Sequence, residues 1–350
     1  MKKFVQLLLG LLLISACVPS PVGPALQNTS PSTTLPAPVV IAAASNTSSS
    51  STAVSGSAAA LPVREKPLAF PSELSVEEHA LKGAPQLDPL TFELAQGSVA
   101  EVMRKHHVER SGMPRLTANN QLLKPFGFRM TLDTLYHDEK PVLQNVYGFG
   151  SASVNASGND FVMLTESQTG TLLVRKNVVT PWNTDNSTGN TSPLFLDDDL
   201  LVATETWKNA NQKLQDEVQL SRAGKVIYTL SVGNPGANMA VRGLWVYAGH
   251  WILEVTGQVI EDGQSLNERA DYDETFGFQL LQGEPFYFFK KGSAIGAVYA
   301  GQEIQLRYNE VPHYGCCSPA ELNPISAENM LAFFAQRDGR WYYVEIGVFA

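Results

Sequence analysis

The sequence predicts an all-β fold, mainly antiparallel, arranged as a propeller-like array of hairpins behind a short helical N-terminal segment. Three observations predict it. From Gly127 onward, apolar and polar residues alternate with a period of two over short runs, as a strand with one buried face requires. Between the runs stand Ser157-Gly158-Asn159, Arg222-Ala223-Gly224-Lys225, Lys291-Gly292-Ser293 and Arg337-Asp338-Gly339-Arg340, whose central residues accept the positive φ of tight hairpin turns. Strands of similar character begin near Phe161, Leu200, Trp251, Gly296 and Leu331, a spacing of roughly 35–50 residues such as propeller blades show. The spacing is irregular, and no WD or kelch signature accompanies it. A β-sandwich or two packed β domains is therefore the alternative.

The elements follow in order. Lys2 and Lys3 precede an apolar run, Phe4 to Ile14, which ends at the small residues Ser15 and Ala16. The run is shorter than the about 20 residues that span a bilayer, and its form is that of an export signal over residues 1–16. From Val18 to Val63 the chain is Ser, Thr, Ala and Pro with almost no charge, including Ser48 to Thr52 and Pro19, Pro21 and Pro24. Such a composition cannot bury a core. Read as a coil, this tether over residues 17–63 reaches roughly 35–40 Å. Residues 64–125 mix helix and coil signals. Ser75-Val76-Glu77-Glu78 reads as a capped helix start, and Leu90, Leu94, Ser98 and Val102 recur at helical spacing from Leu90 to His107.

Residues 126–350 form the β-rich domain. Strands are expected at Phe126–Leu135, Asp160–Glu166, Thr171–Val179, Asp199–Thr206, Glu217–Ser221, Lys225–Val232, Leu244–Tyr247 and Trp251–Val259. Gly277–Leu281, Pro285–Lys290, Ile295–Tyr299, Glu303–Tyr308, Met330–Gln336 and Trp341–Phe349 complete the set. Two repeating units stand out: Leu200–Thr204 is expected to pair with Lys225–Thr229, and Trp251–Val255 with Phe276–Leu280.

The stretch Leu13-Ile14-Ser15-Ala16-Cys17 resembles the bacterial lipobox, with Ile14 where that motif usually has leucine. The resemblance covers the first seventeen residues. It implies cleavage before Cys17 and acylation of that cysteine. The mature chain is then lipid-anchored to the cell membrane on its extracytoplasmic face. One acyl chain holds only reversibly, at roughly 0.8 kcal/mol per buried methylene; the two or three chains that the resemblance implies hold stably. The folded part resembles no characterised family.

Charge narrows the partners. The net charge is -9 and the pI about 5.2, so phosphate backbones are repelled and nucleic acid is not expected as a partner. With Cys17 acylated, the other two cysteines, Cys316 and Cys317, are the only internal pair. Adjacent Cα atoms lie about 3.8 Å apart across a trans peptide, below the usual disulfide window of about 4.4–6.8 Å. A disulfide between them closes a strained ring, and Gly315 and Pro319 suit a rigid turn around it. Such a turn, with His313, Tyr314, Cys316 and Cys317, can present a flat face to an aromatic or sugar ring. The alternative is a buried structural turn. Zinc on His313, Cys316 and Cys317 is disfavoured, because adjacent thiolates converge poorly and no further ligand lies nearby. No metal or cofactor is expected.

Other polar groups carry plain readings. Asn267, Glu268, Asp271, Asp273 and Glu274 lack the EF-hand pattern and read as a solvated hairpin loop, as does Asp197-Asp198-Asp199. His106 and His107 suit a helix end. His250 precedes Trp251 with neither a serine elbow nor a paired base in view. Trp182, Trp207, Trp245, Trp251 and Trp341, with Tyr342 and Tyr343, could line a carbohydrate platform, but strand alternation puts about half of them in the core, which is the default reading. These features favour a non-enzymatic module that binds a small molecule, a carbohydrate or a protein. The alternative is an exported hydrolase of cell-wall or polysaccharide material, whose two carboxylates would come from Glu205, Glu254, Asp271 and Glu345. Cys17→Ser is expected to release the protein from membranes and to abolish fatty-acid labelling; a mutant that still fractionates with membranes contradicts the lipoprotein reading.

Overall fold

Hairpin chemistry sets the architecture. Ala223-Gly224, Ala248-Gly249, Asp262-Gly263, Gln282-Gly283, Ala300-Gly301 and Asp338-Gly339 all hold both residues at positive φ, the geometry whose twist matches that of the flanking strands. The result is a succession of small antiparallel sheets. A computed structural model describes residues 64–68, 74–89, 92, 113–182, 187–210, 213–233, 240–315, 320, 323–326 and 330–347. Cys17, the tether, nearly all of the helix expected at Leu90–His107, and Cys316 and Cys317 lie outside them.

Two strands come first, β1 (Arg64–Leu68) and β2 (Ser75–Ala80), then a helix, Met113–Leu123. Sheet 1 contains β3 (Phe128–Met130), β4 (Leu135–His137) and β5 (Lys140–Leu143). Sheet 2 contains β6 (Gly148–Phe149), β7 (Ser153–Val154), β8 (Phe161–Ser167), β9 (Gly170–Arg175) and β10 (Val178–Pro181). Sheet 3 contains β11 (Ser187–Asn190), β12 (Leu194–Leu196), β13 (Asp199–Ala210), β14 (Lys213–Arg222) and β15 (Lys225–Gly233). Sheet 4 contains β16 (Val241–Tyr247), β17 (His250–Val255), β18 (Gln258–Glu261) and β19 (Gln264–Ser265), followed by a short helix, Leu266–Ala270. Sheet 5 runs in order through β20 (Glu274–Leu281), β21 (Glu284–Lys291), β22 (Ala294–Tyr299) and β23 (Gln302–Tyr308), and β1 joins β23 in parallel. Sheet 6 contains β24 (Ile325–Ser326), β25 (Met330–Arg337) and β26 (Arg340–Gly347), and β2 is its last strand. No helix among the described residues is long and apolar enough to cross a membrane.

Apolar cores lie between successive sheets. Phe128 and Leu135 pack with Phe161 and Val174. Leu201 and Leu220 pack with Leu244 and Leu253. Ile252 and Val259 pack with Tyr287 and Phe289, and Phe286 and Phe288 pack with Phe333 and Val344. Alternate residues of β21 therefore enter cores on its two sides. A strand buried on both faces reads as a continuous apolar run, which accounts for Phe286-Tyr287-Phe288-Phe289. The junction of sheets 2 and 3 is polar instead: the Asp198 carboxylate accepts from Asn155 and from the backbone and hydroxyl of Ser157. The all-β, mainly antiparallel, propeller-like array is thus present, but several elements differ from expectation.

Ser75 starts a strand rather than a helix. Its backbone pairs with β26 from Ser75↔Gly347 to Ala80↔Tyr342, and this long-range ladder overrides a local capping signal. The run Thr171–Val179 is two strands, broken at Lys176, which takes positive φ. The run Trp251–Val259 likewise splits at Thr256-Gly257. Phe126–Leu135 is interrupted by a turn in which Thr131 N–H donates to the Thr134 carbonyl. Leu200–Thr204 and Lys225–Thr229 both flank β14 rather than pairing with each other. Phe276–Leu280 belongs to the sheet after that of Trp251–Val255, and Gly296 lies inside sheet 5 rather than at its start.

Two buried glutamates tie sheets together. Glu205 on β13 is 0% exposed, and its Oε2 accepts from Ala240 N–H at 2.8 Å and Val241 N–H at 3.0 Å. Those amides stand where β16 enters sheet 4, at a bulge: Val241 faces Val255, Gly243 faces Glu254, and Arg242 is the extra residue. A bulge leaves amides without a ladder partner, and the carboxylate supplies one. Glu205→Ala strands both buried donors, at a cost of about 3 kcal/mol, so thermal melts should show Tm lowered by about 6–12 °C. Glu205→Gln keeps one carbonyl oxygen for both donors and should lose about a third of that. Equal melts for wild type and Glu205→Ala would contradict the clamp.

Candidate functional site

The turn that leaves sheet 5, Val311 to Gly315, meets the second glutamate clamp. On β20 the register steps from Phe276↔Phe288 to Gln279↔Phe286. Gly277 and Phe278 thus oppose the single residue Tyr287, and Gly277 has φ 66°. This is a bulge of the kind that begins with a left-handed glycine. A Cβ at Gly277 would also lie 3.1 Å from both the Phe288 ring and Pro324. The bulge frees two amides toward Glu254 on β17, which is 2% exposed. Gly277 N–H donates to Glu254 Oε1 at 2.8 Å, and Phe278 N–H donates to Oε2 at 2.7 Å. The Tyr314 hydroxyl donates to the same Oε1.

Two opposing effects act on Glu254. Burial raises its pKa above the usual carboxylate value, while the Tyr314 hydroxyl and the two amides pull it down; burial wins. Tyr314 is itself held neutral, because burial and then the Glu254 charge push its hydroxyl well above the ordinary range. Its backbone adopts φ 57°, a conformation that a bulky residue takes only when its surroundings impose it. Those surroundings are visible. The Arg242 guanidinium lies 4.4 Å from the Tyr314 ring centroid, a cation–π distance, and Phe276 and His313 meet the ring edge-on.

His313 lies flat on Phe276, with centroids 3.6 Å apart and planes 4° from parallel. Its Nδ1 is 2.6 Å from the Val311 carbonyl, and its Nε2 is 3.2 Å from Glu274 Oε1. Both nitrogens face oxygen atoms. The hydrogen bond from His313 holds the Glu274 carboxyl below its ordinary value. Asn323 closes the back of the turn. It is 4% exposed, donates to the Pro312 and Phe334 carbonyls and accepts from Phe334 N–H.

The structure thus brings together His313 and Tyr314, two of the four residues expected in a binding turn, while Cys316 and Cys317 are outside the described residues. It adds Glu254 and Glu274, which the sequence had suggested for other tasks, and it shows Arg242, Phe276 and Asn323, which sequence reasoning missed. Gly277 within an apolar run was the one usable signal, since glycine inside a strand marks a bulge. The other suggested carboxylates are elsewhere: Glu205 holds β16, Glu345 accepts from the Tyr343 hydroxyl, and Asp271, 96% exposed, faces Lys291 at 3.3 Å. The acidic loop is solvated as expected, with Glu268, Asp271 and Asp273 exposed, but it contains the short helix Leu266–Ala270 rather than a plain hairpin turn, and Asn267 donates to the Gly257 carbonyl while Asp273 accepts from Gly292 N–H. His250 has a partner after all, Asp262 Oδ2 at 2.6 Å. Trp251 is buried and Trp245 packs on Phe278, so these two are core.

Comparison with known proteins yields no matching family model and no matching curated protein. Among solved structures the chain is similar to a puromycin hydrolase, with 14% identity over 61% of this chain and 40% of that one, at a TM-score of 0.32. It is similar to a prolyl endopeptidase at 10% identity over 59% and 35%, TM-score 0.29. Against the dihydro-heme d1 dehydrogenase NirN the figures are 11% identity over 60% and 51%, TM-score 0.26. The chain spans about half or less of each of these proteins, and overlaps this partial carry no argument about chemistry.

The pair His313–Glu274 makes an acid-side prediction. A carboxyl whose folded-state pKa is lowered stabilises the fold above its ordinary value, 4.5, and that contribution is lost as pH falls through the lowered value. Glu274→Gln should therefore be less stable than wild type at pH 7 by about 1 kcal/mol, and the difference should shrink steadily below about pH 4.5. A difference independent of pH would show that the ion pair contributes nothing.

Proposed function

We infer that the chain is a lipid-anchored module on the extracytoplasmic face of the cell membrane that binds a carbohydrate, a small molecule or a protein. The binding face is the turn of His313, Tyr314, Cys316 and Cys317. The observation that carries this reading is how firmly the described half of the turn is held. Tyr314 is kept in a left-handed conformation by Glu254, roofed by Arg242 and backed by Phe276. A turn already ordered loses little entropy when a ligand seats on it. The Arg242 guanidinium, stacked on an aromatic ring beside the turn, offers planar donors of the kind that recognise sugar hydroxyls and carboxylates.

One observation favours the exported hydrolase as a second reading. Glu254 and Glu274 flank His313–Tyr314, and their pKa values are pushed in opposite directions. Such a divergence is the pattern of an acid and a base sharing a site. Against it, both oxygens of Glu254 already accept hydrogen bonds from the chain.

Isolated cell-wall glycan separates the two readings. The full chain with Cys17→Ser should co-sediment with the glycan, and Arg242→Ala, whose side chain lies on the surface of the turn, should weaken this at least five-fold while the chain stays folded, its Tm lowered by no more than about 4 °C for the lost cation–π contact. Release of soluble fragments that Glu254→Gln abolishes would favour the hydrolase. Equal sedimentation of wild type and Arg242→Ala would overturn the binding face.

A further inference from the structure

Sheet 6 carries a second cluster, independent of the turn. β2 pairs with β26 so that Glu77 stands directly opposite Glu345 and His79 opposite Tyr343. Two-residue alternation puts all four side chains on one face. Like charges directly opposite on neighbouring strands destabilise a ladder, and here one of them, Glu345, is 0% exposed, where screening by water and salt is weakest. A cation resolves that opposition. The atoms are close to what one requires: His79 Nε2 lies 3.7 Å from Glu77 Oε2, and one donor atom from each of Glu77, His79 and Glu345 lies within 4.8 Å of the other two. Donors held at about 2.0–2.2 Å from a tetrahedral ion stand roughly 3.4 Å apart. Glu77 and His79 have largely exposed side chains, so modest rotamer adjustments close the difference.

We propose that Glu77, His79 and Glu345 bind a divalent transition-metal ion of the zinc class and so clip the N-terminal strand β2 to β26. The two carboxylates balance the charge of the ion. The imidazole selects a zinc-class ion over magnesium or calcium, which prefer all-oxygen sites. The Tyr343 hydroxyl, 2.9 Å from Glu345 Oε1, is the outer-shell donor that orients this buried ligand. Three protein ligands leave a further position for water.

The test is zinc titration calorimetry on untagged full chain carrying Cys17→Ser, Cys316→Ser and Cys317→Ser, so that thiols cannot contribute. One zinc per chain is expected, with Tm raised by about 5–10 °C at a hundred-fold excess over Kd and slower amide exchange across residues 75–80. Glu77→Gln and His79→Ala, both exposed and so expected to fold, should each weaken binding at least ten-fold, and Tyr343→Phe about ten-fold. Glu345→Gln should abolish it, but that buried change can also unfold the sheet, so the two exposed variants decide. No bound zinc, or zinc bound equally well by Glu77→Gln and His79→Ala, overturns the site.

Discussion

The buried carboxylate of Glu254 is the constraint on which the candidate site depends. An ionisable group removed from water needs compensation at both oxygens, or it becomes neutral or destabilises the fold. The compensation here comes from a defect in the neighbouring sheet. The bulge at Gly277-Phe278 turns two amides out of their ladder, and the carboxylate takes both. Each feature would be unfavourable alone: the bulge would bury unpaired donors, and the glutamate would bury unpaired acceptors. Together they lock β17 to β20, and Glu205 does the same for β13 and β16. Glutamate suits the task because it is long enough to cross between sheets and accepts at two oxygens.

At Glu254 the same solution is extended to the turn. With two amides already engaged, Oε1 still accepts the Tyr314 hydroxyl. Tyr314 then resists ionisation, and its ring has a defined place between Arg242 and Phe276. A left-handed tyrosine costs on the order of 1–3 kcal/mol, which one charge-assisted hydrogen bond and a cation–π contact are of the right size to offset. His313, one residue earlier, is fixed by a different set, Phe276 and Glu274. The turn is over-determined by contacts to two sheets, and that condition lets a strained conformation persist.

Most of the fold was legible because hairpin chemistry and two-residue alternation are local. Asp338-Gly339 marked its turn without ambiguity, and the strand ranges from Asp199 to Trp341 fall close to those observed. What failed was non-local. Ser75-Val76-Glu77-Glu78 satisfies a helix-start pattern, and only the presence of β26, more than two hundred residues later in the chain, makes it a strand. Lys176 and Thr256-Gly257 broke runs that looked continuous, because a two-residue turn between apolar strands leaves little trace in periodicity. The site was legible in halves. His313 and Tyr314 stand out beside the cysteines, but Glu254 and Arg242 are adjacent to them only through the packing of sheets 4 and 5. Glu254 was noticed as a carboxylate that could act in a cleft. Its partners show instead what a glutamate flanked by Leu253 and Val255 signals: a buried acceptor awaiting donors from another strand.

The way β2 is held differs in kind. Every residue of this strand is exposed, so apolar burial contributes little to its attachment, and its backbone ladder with β26 is supplemented by charge. On one face Glu78 binds Arg337 at 2.9 Å and accepts from the Tyr308 hydroxyl, which reaches across from sheet 5. On the other face lie Glu77, His79 and the buried Glu345. This second face sets two carboxylates beside one imidazole. A strand held by charge on both sides is sensitive to ions in a way that the cores of sheets 4 and 5, built from Phe, Tyr and Leu, are not. Ion dependence in this protein therefore belongs at the β2–β26 junction, while the Tyr314 turn, whose buried partners are shielded from solvent, should hold its shape as ionic strength changes.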